Sequence, residues 1–365
     1  MEKTGATTGS KPTVKIAQRE IVHQPRSFES DTLDLNDKVV LVTGGTGSFG
    51  QAFVKTVIAR YRPRKLIVFS RDELKQYEMA QKFGAERYPF MRYFIGDVRN
   101  RDRLEMALRD VDYVIHAAAM KHVPIAEYNP FECIHTNVVG AENIVNAAIS
   151  RNVRKVIALS TDKAANPVSL YGASKLAADK IFVAANNLAG EGGCRFAVVR
   201  YGNVLGSRGG VVDYFQKLAA EKASEIPITD KRMTRFWITL QQGVDFVLSS
   251  LDEMAGGEIF VPKIPSMGII DFAKTIAPGI RHNIVGARAG EKLHEVMIPE
   301  DDARTTYEFS DKLVVMPAFA WWTRSFLTDR GAKLVPEDYR YASDSNQEWL
   351  SAEGLHAMLE QLNDG

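Results

Sequence analysis

The chain has 365 residues, 45% hydrophobic and 25% charged, with a formal net charge of +1. That length can bury the core of one large domain or two smaller ones, and a charge this close to zero excludes a global basic field that would draw nucleic acid or a membrane surface. Two cysteines, Cys133 and Cys194, are too few for a disulfide framework; with no apolar run of membrane-spanning length and no hydrophobic secretory leader, a cytoplasmic enzyme is expected.

Residues 1–36 are small and polar at first, then carry scattered charge with little periodicity, so they are expected to form a flexible or loosely docked extension. Order begins with the apolar run 38–42. Similar runs follow at 65–69, 92–95, 113–116, 155–159 and 196–199. Helical spacing lies between them at 49–60, 102–108 and 141–150. This alternation predicts an α/β fold: a Rossmann-type, doubly wound parallel sheet over 37–200. After Arg200 the pattern loosens, with helices at 211–222 and 241–251 and breaks at Pro262, Pro265 and Gly268. Residues 201–335 are expected to form a smaller C-terminal substrate-binding lobe at the carboxyl ends of the strands, some segments returning to the first domain. A C-terminal segment, 336–365, follows.

Gly44, Gly47 and Gly50, with Thr46, Ser48 and Phe49 between them, directly follow the first strand and open a helix. In that context glycine lets the backbone turn and approach a pyrophosphate, whose charge meets the helix N-terminus; an ordinary tight turn is the rival reading. The second strand ends in Ser70-Arg71. A carboxylate there would receive the ribose of NAD, whereas arginine offers a donor fork for a 2′-phosphate, so NADP is the expected cofactor. The rival is an Arg71 paired with Asp72 or Glu73. Asp97 and Val98 follow the third strand, where Asp97 can meet an adenine amino group or cap the helix near Arg101. Ala117-Ala118-Ala119 ends the fourth strand with side chains small enough for close approach.

Ser160-Thr161-Asp162-Lys163 closes the fifth strand, and Tyr171-Gly172-Ala173-Ser174-Lys175 follows within a short loop. Tyr171 and Lys175 share one helical face. A nearby ammonium and a positive nicotinamide would lower the phenol pKa, letting Tyr171 take a hydroxyl proton while hydride leaves the adjacent carbon. Thr161 can bond the same oxygen. Asp162 and Lys163 exceed the needs of hydride transfer and point to a second reaction after the oxidation. His122 and His294 read as structural hydrogen-bonders, and no metal-ligand spacing is present.

These motifs resemble the extended short-chain dehydrogenase/reductase superfamily. Met120-Lys121-His122-Val123-Pro124, Thr161-Asp162-Lys163-Ala164-Ala165-Asn166-Pro167, Arg200-Tyr201-Gly202-Asn203-Val204, Arg232-Met233-Thr234-Arg235-Phe236-Trp237 and Gly290-Glu291-Lys292-Leu293-His294-Glu295 narrow the resemblance. They are similar to the inverting UDP-N-acetylglucosamine 4,6-dehydratases that open the pseudaminic acid pathway. The likeness covers about 37–308, and more weakly 346–349.

The resemblance implies that Tyr171, supported by Lys175 and Thr161, accepts the proton of the 4-hydroxyl as hydride passes to NADP. Lys163, if neutral, then removes the carbon-5 proton, and Asp162 protonates the departing 6-hydroxyl. Hydride return to carbon 6 and reprotonation of carbon 5 from the opposite face give UDP-2-acetamido-2,6-dideoxy-β-L-arabino-hex-4-ulose. Retaining relatives have Asp-Glu where this chain has Asp162-Lys163. The implied UDP-sugar contacts are Lys121, which also borders the cofactor, Asn203, Val211, Val212, Asp213, Tyr214, Phe215, Thr229, Arg288 and Glu291. Val211, Val212 and Phe215 read equally as the core face of a helix, and Asp213 stands in a segment where the family commonly has proline. The resemblance further implies a homo-oligomer, dimer or hexamer. A UDP-sugar 4-epimerase, a retaining dehydratase and a non-catalytic NADP-binding regulator are the alternatives.

Overall fold

The apolar runs of the first half form β1 (Val39–Thr43), β2 (Lys65–Ser70), β3 (Met91–Ile95), β4 (Tyr113–His116), β5 (Lys155–Thr161) and β6 (Arg195–Tyr201). The structure is a computed structural model describing residues 19–24, 26–318 and 325–363. All of β1 is buried, as expected of a strand covered on both faces. β7 (Ile259–Pro262) joins β6 in parallel, and β8 (Thr306–Glu308), β9 (Lys312–Val315) and β10 (Lys333–Leu334) continue antiparallel. Among the described residues the large sheet runs β10-β8-β9-β7-β6-β5-β4-β1-β2-β3. Helices Ser48–Arg60 and Leu240–Glu253 pack together, whereas Arg101–Ala107, Gly140–Ser150 and Leu170–Ala189 form another contiguous layer.

The strand order reverses between β1 and β4, which opens a crevice at their carboxyl ends. Thr43 pins its floor. Its hydroxyl accepts from the Ala117 and Ala118 amides at 3.1 and 3.2 Å and lies 2.9 Å from Nδ1 of the buried His116. Burial pushes that imidazole down to about 3, so it stays neutral.

A smaller sheet is built from short strands in the order Glu20–Val22, Glu348–Leu350, Ser266–Gly268, Thr234–Thr239 and Asn203–Leu205. It has its own core, where Trp237 stacks on Phe272 at 4.0 Å. Both outer segments of the described chain join this lobe. Of the segment expected to be flexible or loosely docked, residues 1–18 and 25 lie outside the described residues; Glu20–Val22 pairs in register with Glu348–Leu350, and Phe28 and Leu35 are buried. The segment 336–365 likewise supplies a strand and the helix Ala352–Asn363 to this lobe. Strands this short carry no readable alternation.

Other differences have local causes. β5 and β6 run on to Thr161 and Tyr201, because their ladder continues through Ser160↔Arg200 and Thr161↔Tyr201 after the apolar run stops. Glu73–Lys82 is a helix capped by Asp72, whose carboxylate accepts from the Lys75 amide, although its polar composition hides the periodicity. Between β4 and Gly140, Pro124 and Pro130 start the short helices Val123–Tyr128 and Pro130–Ile134, and a π-helical turn, His135–Val139, follows.

Candidate active site

A cavity of about 750 Å³ lies over the carboxyl ends of β1, β2, β4, β5 and β6. Every residue expected to hold the cofactor lines it: Gly44, Thr46, Gly47, Ser48, Phe49, Gly50, Ser70, Arg71, Asp97, Val98, Ala117, Lys121, Tyr171 and Lys175. Gly44 has φ +63°, and a Cβ there would sit 2.9 Å from the Ala118 backbone. The turn thus requires glycine for conformation and for closeness. Gly47 caps the helix Ser48–Arg60 without a side-chain hydrogen bond, so no side chain takes the place an anion would occupy at that N-terminus. The hydroxyls of Thr136 and Ser160, buried and unpartnered, also line the cavity. These features fit a dinucleotide phosphate site.

Arg71 pairs with neither Asp72 nor Glu73. Its guanidinium is 3.5 Å from the Asp97 carboxylate, and Asp72 is held by Lys75 at 2.7 Å. Nor does Asp97 cap the next helix: Asn100 does, accepting from the Arg103 amide at 2.9 Å. Burial pushes the Asp97 carboxyl up, but hydrogen bonds from Arg99 outweigh it and hold it below the usual range.

The reacting end is set by the tip of β5. Asp162 and Lys163 occupy a single 3₁₀ turn there, and the helix carrying Tyr171 packs against it. Gly172 permits that contact, since a Cβ on it would meet the Lys163 carbonyl oxygen at 2.3 Å. Ser169 caps the helix, accepting from the Gly172 amide at 3.1 Å. Tyr171 lines the cavity together with Thr161 and Lys163. Burial pushes its phenol up to about 12, with Lys163 and Thr161 pulling the other way. Lys175 does not counter that rise: its amine donates to the Leu159 carbonyl at 2.6 Å. Burial holds its pKa below the ordinary lysine value.

Lys163 departs from expectation. Its amine lies 3.0 Å from Asp162 Oδ1, 3.3 Å from Glu295 Oε1 and 3.4 Å from Asn203 Oδ1. Burial pushes Lys163 down, but the two carboxylates outweigh it, so it stands charged. Asp162 is fully buried, and burial pushes its carboxyl up; its Oδ2 has no hydrogen-bond partner. Glu295 escaped notice as a site residue, as did Arg235 at 3.6 Å and Lys292 at 3.7 Å from it. Burial pushes Glu295 up, yet Lys163, Arg235 and Lys292 outweigh it and keep it ionised. Arg200, paired with Asp179 at 3.1 Å, donates to the Met297 carbonyl at 2.8 Å and so fixes the strand that follows Glu295.

The expected sugar contacts divide. Lys121, Asn203, Val211 and Val212 line the cavity. The Lys121 amine donates to Ser207 Oγ at 2.8 Å and to the Arg208 carbonyl at 3.0 Å, and burial pulls its pKa down. Asp213, at the family's proline position, accepts from the Gly209 amide at 3.0 Å and ties down the turn before its helix. Phe215 points into the second core, and Tyr214 is exposed; neither lines the cavity. Thr229 donates to Met233 Sδ, and the exposed Arg288 is bound to Glu291 through its own amide at 3.1 Å, so these three also lie outside it.

Among the described residues no helix is long and apolar enough to cross a membrane, and no three potential ligands gather for a metal. A family model described as polysaccharide biosynthesis protein matches residues 40–317. The chain is 57% identical to the UDP-N-acetylglucosamine 4,6-dehydratase (inverting) of Campylobacter jejuni subsp. jejuni serotype O:2, over 90% of this chain and 98% of that one. Its fold is similar to that of Pen from Bacillus thuringiensis, with a TM-score of 0.82 and 33% identity over 91% of this chain and 99% of that one. DesIV, a dTDP-glucose 4,6-dehydratase from Streptomyces venezuelae with NAD and TYD bound, shares the fold at a TM-score of 0.63 and 23% identity over 70% and 86% of the two chains. The chain belongs to the polysaccharide biosynthesis protein family, in the lineage of the inverting UDP-N-acetylglucosamine 4,6-dehydratases of the extended short-chain dehydrogenase/reductase superfamily.

Proposed function

We propose that this enzyme, a hydro-lyase, converts UDP-N-acetylglucosamine to UDP-2-acetamido-2,6-dideoxy-β-L-arabino-hex-4-ulose with NADP as cofactor. The observation that carries this reading is the Asp162–Lys163 pair at 3.0 Å, with Asp162 buried and Lys163 lining the same cavity as Tyr171. The activity of the Campylobacter relative supports it.

When bound, the nicotinamide supplies a hydride acceptor and donor, so carbon 4 is oxidised and carbon 6 reduced with no net redox change. Tyr171 takes the 4-hydroxyl proton as the phenolate, a form that the positive charge of a bound nicotinamide would favour, with Thr161 ordering that oxygen. The resulting ketone acidifies the carbon-5 hydrogen. Transfer of one proton from Lys163 to Asp162 along their hydrogen bond turns the ion pair into a neutral amine and a carboxylic acid. A sugar that expels water favours this neutral pair, because buried charges lose solvation. The amine then removes the carbon-5 proton while Asp162 protonates the departing 6-hydroxyl, and water leaves. This elimination returns Lys163 and Asp162 to their charged forms. Reprotonation of carbon 5 from the opposite face inverts it.

Arg71, with Ser70 at the tip of β2, supports NADP over NAD, since Asp97 alone would repel a 2′-phosphate. Arg71→Ala should weaken NADP binding by about 10–100-fold, the worth of a charge-assisted hydrogen bond, and spare NAD. Equal losses in fluorescence titrations of the two cofactors would assign Arg71 to fold alone. We further propose a cytoplasmic homo-oligomer, dimer or hexamer, whose product feeds a surface glycan such as pseudaminic acid.

The decisive experiment is proton NMR of UDP-N-acetylglucosamine incubated with the protein and NADP in heavy water. A new 6-methyl signal, deuterium at carbon 5 and L-arabino couplings are expected. A methyl signal with retained geometry would remove Lys163 from its role, and a 4-epimer without methyl would make the enzyme an epimerase.

A further inference from the structure

At the amino ends of β2 and β3, the turn entering β2 and the segment entering β3 border a second, open cavity of about 460 Å³. Arg62, Arg64 and Arg87 line it, with Tyr88, Pro89 and Phe90. Some neighbouring arginines have acids at hand: Arg60 meets Glu29 and Asp245, Arg99 meets Asp97 and Glu132, and Arg101 meets Glu105. Among the described residues no carboxylate lies within ion-pair distance of Arg62, Arg64 or Arg87. Three like charges that converge on a cavity without a counter-charge repel one another, and a bound anion offsets that cost. Part of the array is fixed, because Arg62 donates through NH1 to the Ile58 and Tyr61 carbonyls, both at 2.8 Å. Its other donors stay available.

The aromatic side chains add a second kind of recognition. Tyr88 lies 6.1 Å from Phe90 and 6.3 Å from Phe83, ring centre to ring centre, and the Arg87 guanidinium sits over the Tyr88 ring at 5.3 Å. Guanidinium forks match phosphate oxygens, and ring faces match a planar base.

We infer that this cavity binds a phosphorylated nucleotide, with its phosphates on Arg62, Arg64 and Arg87 and its base against Tyr88 and Phe90. β2 separates this cavity from the catalytic one by its full length, about 20 Å at the usual rise per residue. An occupant therefore cannot touch the reacting sugar. β2 runs from Lys65, next to Arg64, to Ser70 in the catalytic cavity, so the site is suited to an effector rather than a second substrate.

Arginine-selective modification by phenylglyoxal, read by peptide mass spectrometry on the whole protein, tests this. The probes are uridine monophosphate and inorganic pyrophosphate, and the exposed Arg109 is the internal reference. Uridine monophosphate at about ten times its dissociation constant should slow modification of Arg62, Arg64 and Arg87 about tenfold by simple occupancy. Pyrophosphate should protect at higher concentration, and Arg109 should not respond. The R64Q/R87Q variant should lose protection at Arg62 and keep basal turnover. Unchanged rates with both probes would overturn the site. So would protection that reaches Arg109 and follows ionic strength alone.

Discussion

Lys163→Ala should lower dehydration about 10³-fold, within the 10²–10⁴ range of a positioned acid–base group, while cofactor titration stays normal. The variant loses the amine that removes the carbon-5 proton, so deuterium uptake at carbon 5 should vanish with the 6-methyl signal. It also leaves Asp162 and Glu295 facing each other without their shared cation, and one of them must hold a proton to stay buried. Lys163→Met fills more of the space and serves as the folding control, with circular dichroism and thermal unfolding as readouts. If both variants fold and turn over at the normal rate, lysine has no part in the elimination.

The second large effect concerns a residue that touches neither end of the reaction directly. Glu295→Gln should move the pH profile of kcat/KM to lower pH on both limbs. The sign follows from charge. Glu295 raises the proton affinity of Lys163 and of Asp162 alike, so removing its charge lowers both. The pair is productive only while it holds one shared proton, and that window moves toward acid as a whole. On either limb, a profile displaced by about one pH unit changes the rate about tenfold. Glu295→Asp should restore the position of the profile in part. A lower kcat with unmoved limbs would restrict Glu295 to packing.

The sequence displayed Asp162 and Lys163 plainly because they follow an apolar strand and precede Tyr171. Gly44 to Gly50 stood out for the same reason: one strand, one turn, one helix, all local. Glu295 was hidden at the end of a motif that carries only a family likeness, and its meaning appears when the strand after it docks through Arg200 beside the tip of β5. Arg288 looked fit for a diphosphate and Glu291 for the sugar, yet both lie in a turn outside the cavity, where the Arg288 amide donates to the Glu291 carboxylate. Burial distinguishes these cases, and burial depends on contacts between distant segments. The charge state of Lys163 was illegible for a related reason, since it depends on two carboxylates rather than on the lysine.

Both ends of the described chain enter the smaller sheet, where Glu20–Val22 lies alongside Glu348–Leu350 and His23 bonds Ser351 across 328 residues. A nascent chain can therefore assemble the first six strands of the large sheet early, but the smaller sheet closes only after residues 348–350 have emerged. Such late, distant contacts make lobe closure the slow part of maturation. A ribosome-stalled fragment ending before residue 348 should therefore hold nucleotide without processing sugar, because the smaller sheet lacks the strand that joins Glu20–Val22 to Ser266–Gly268.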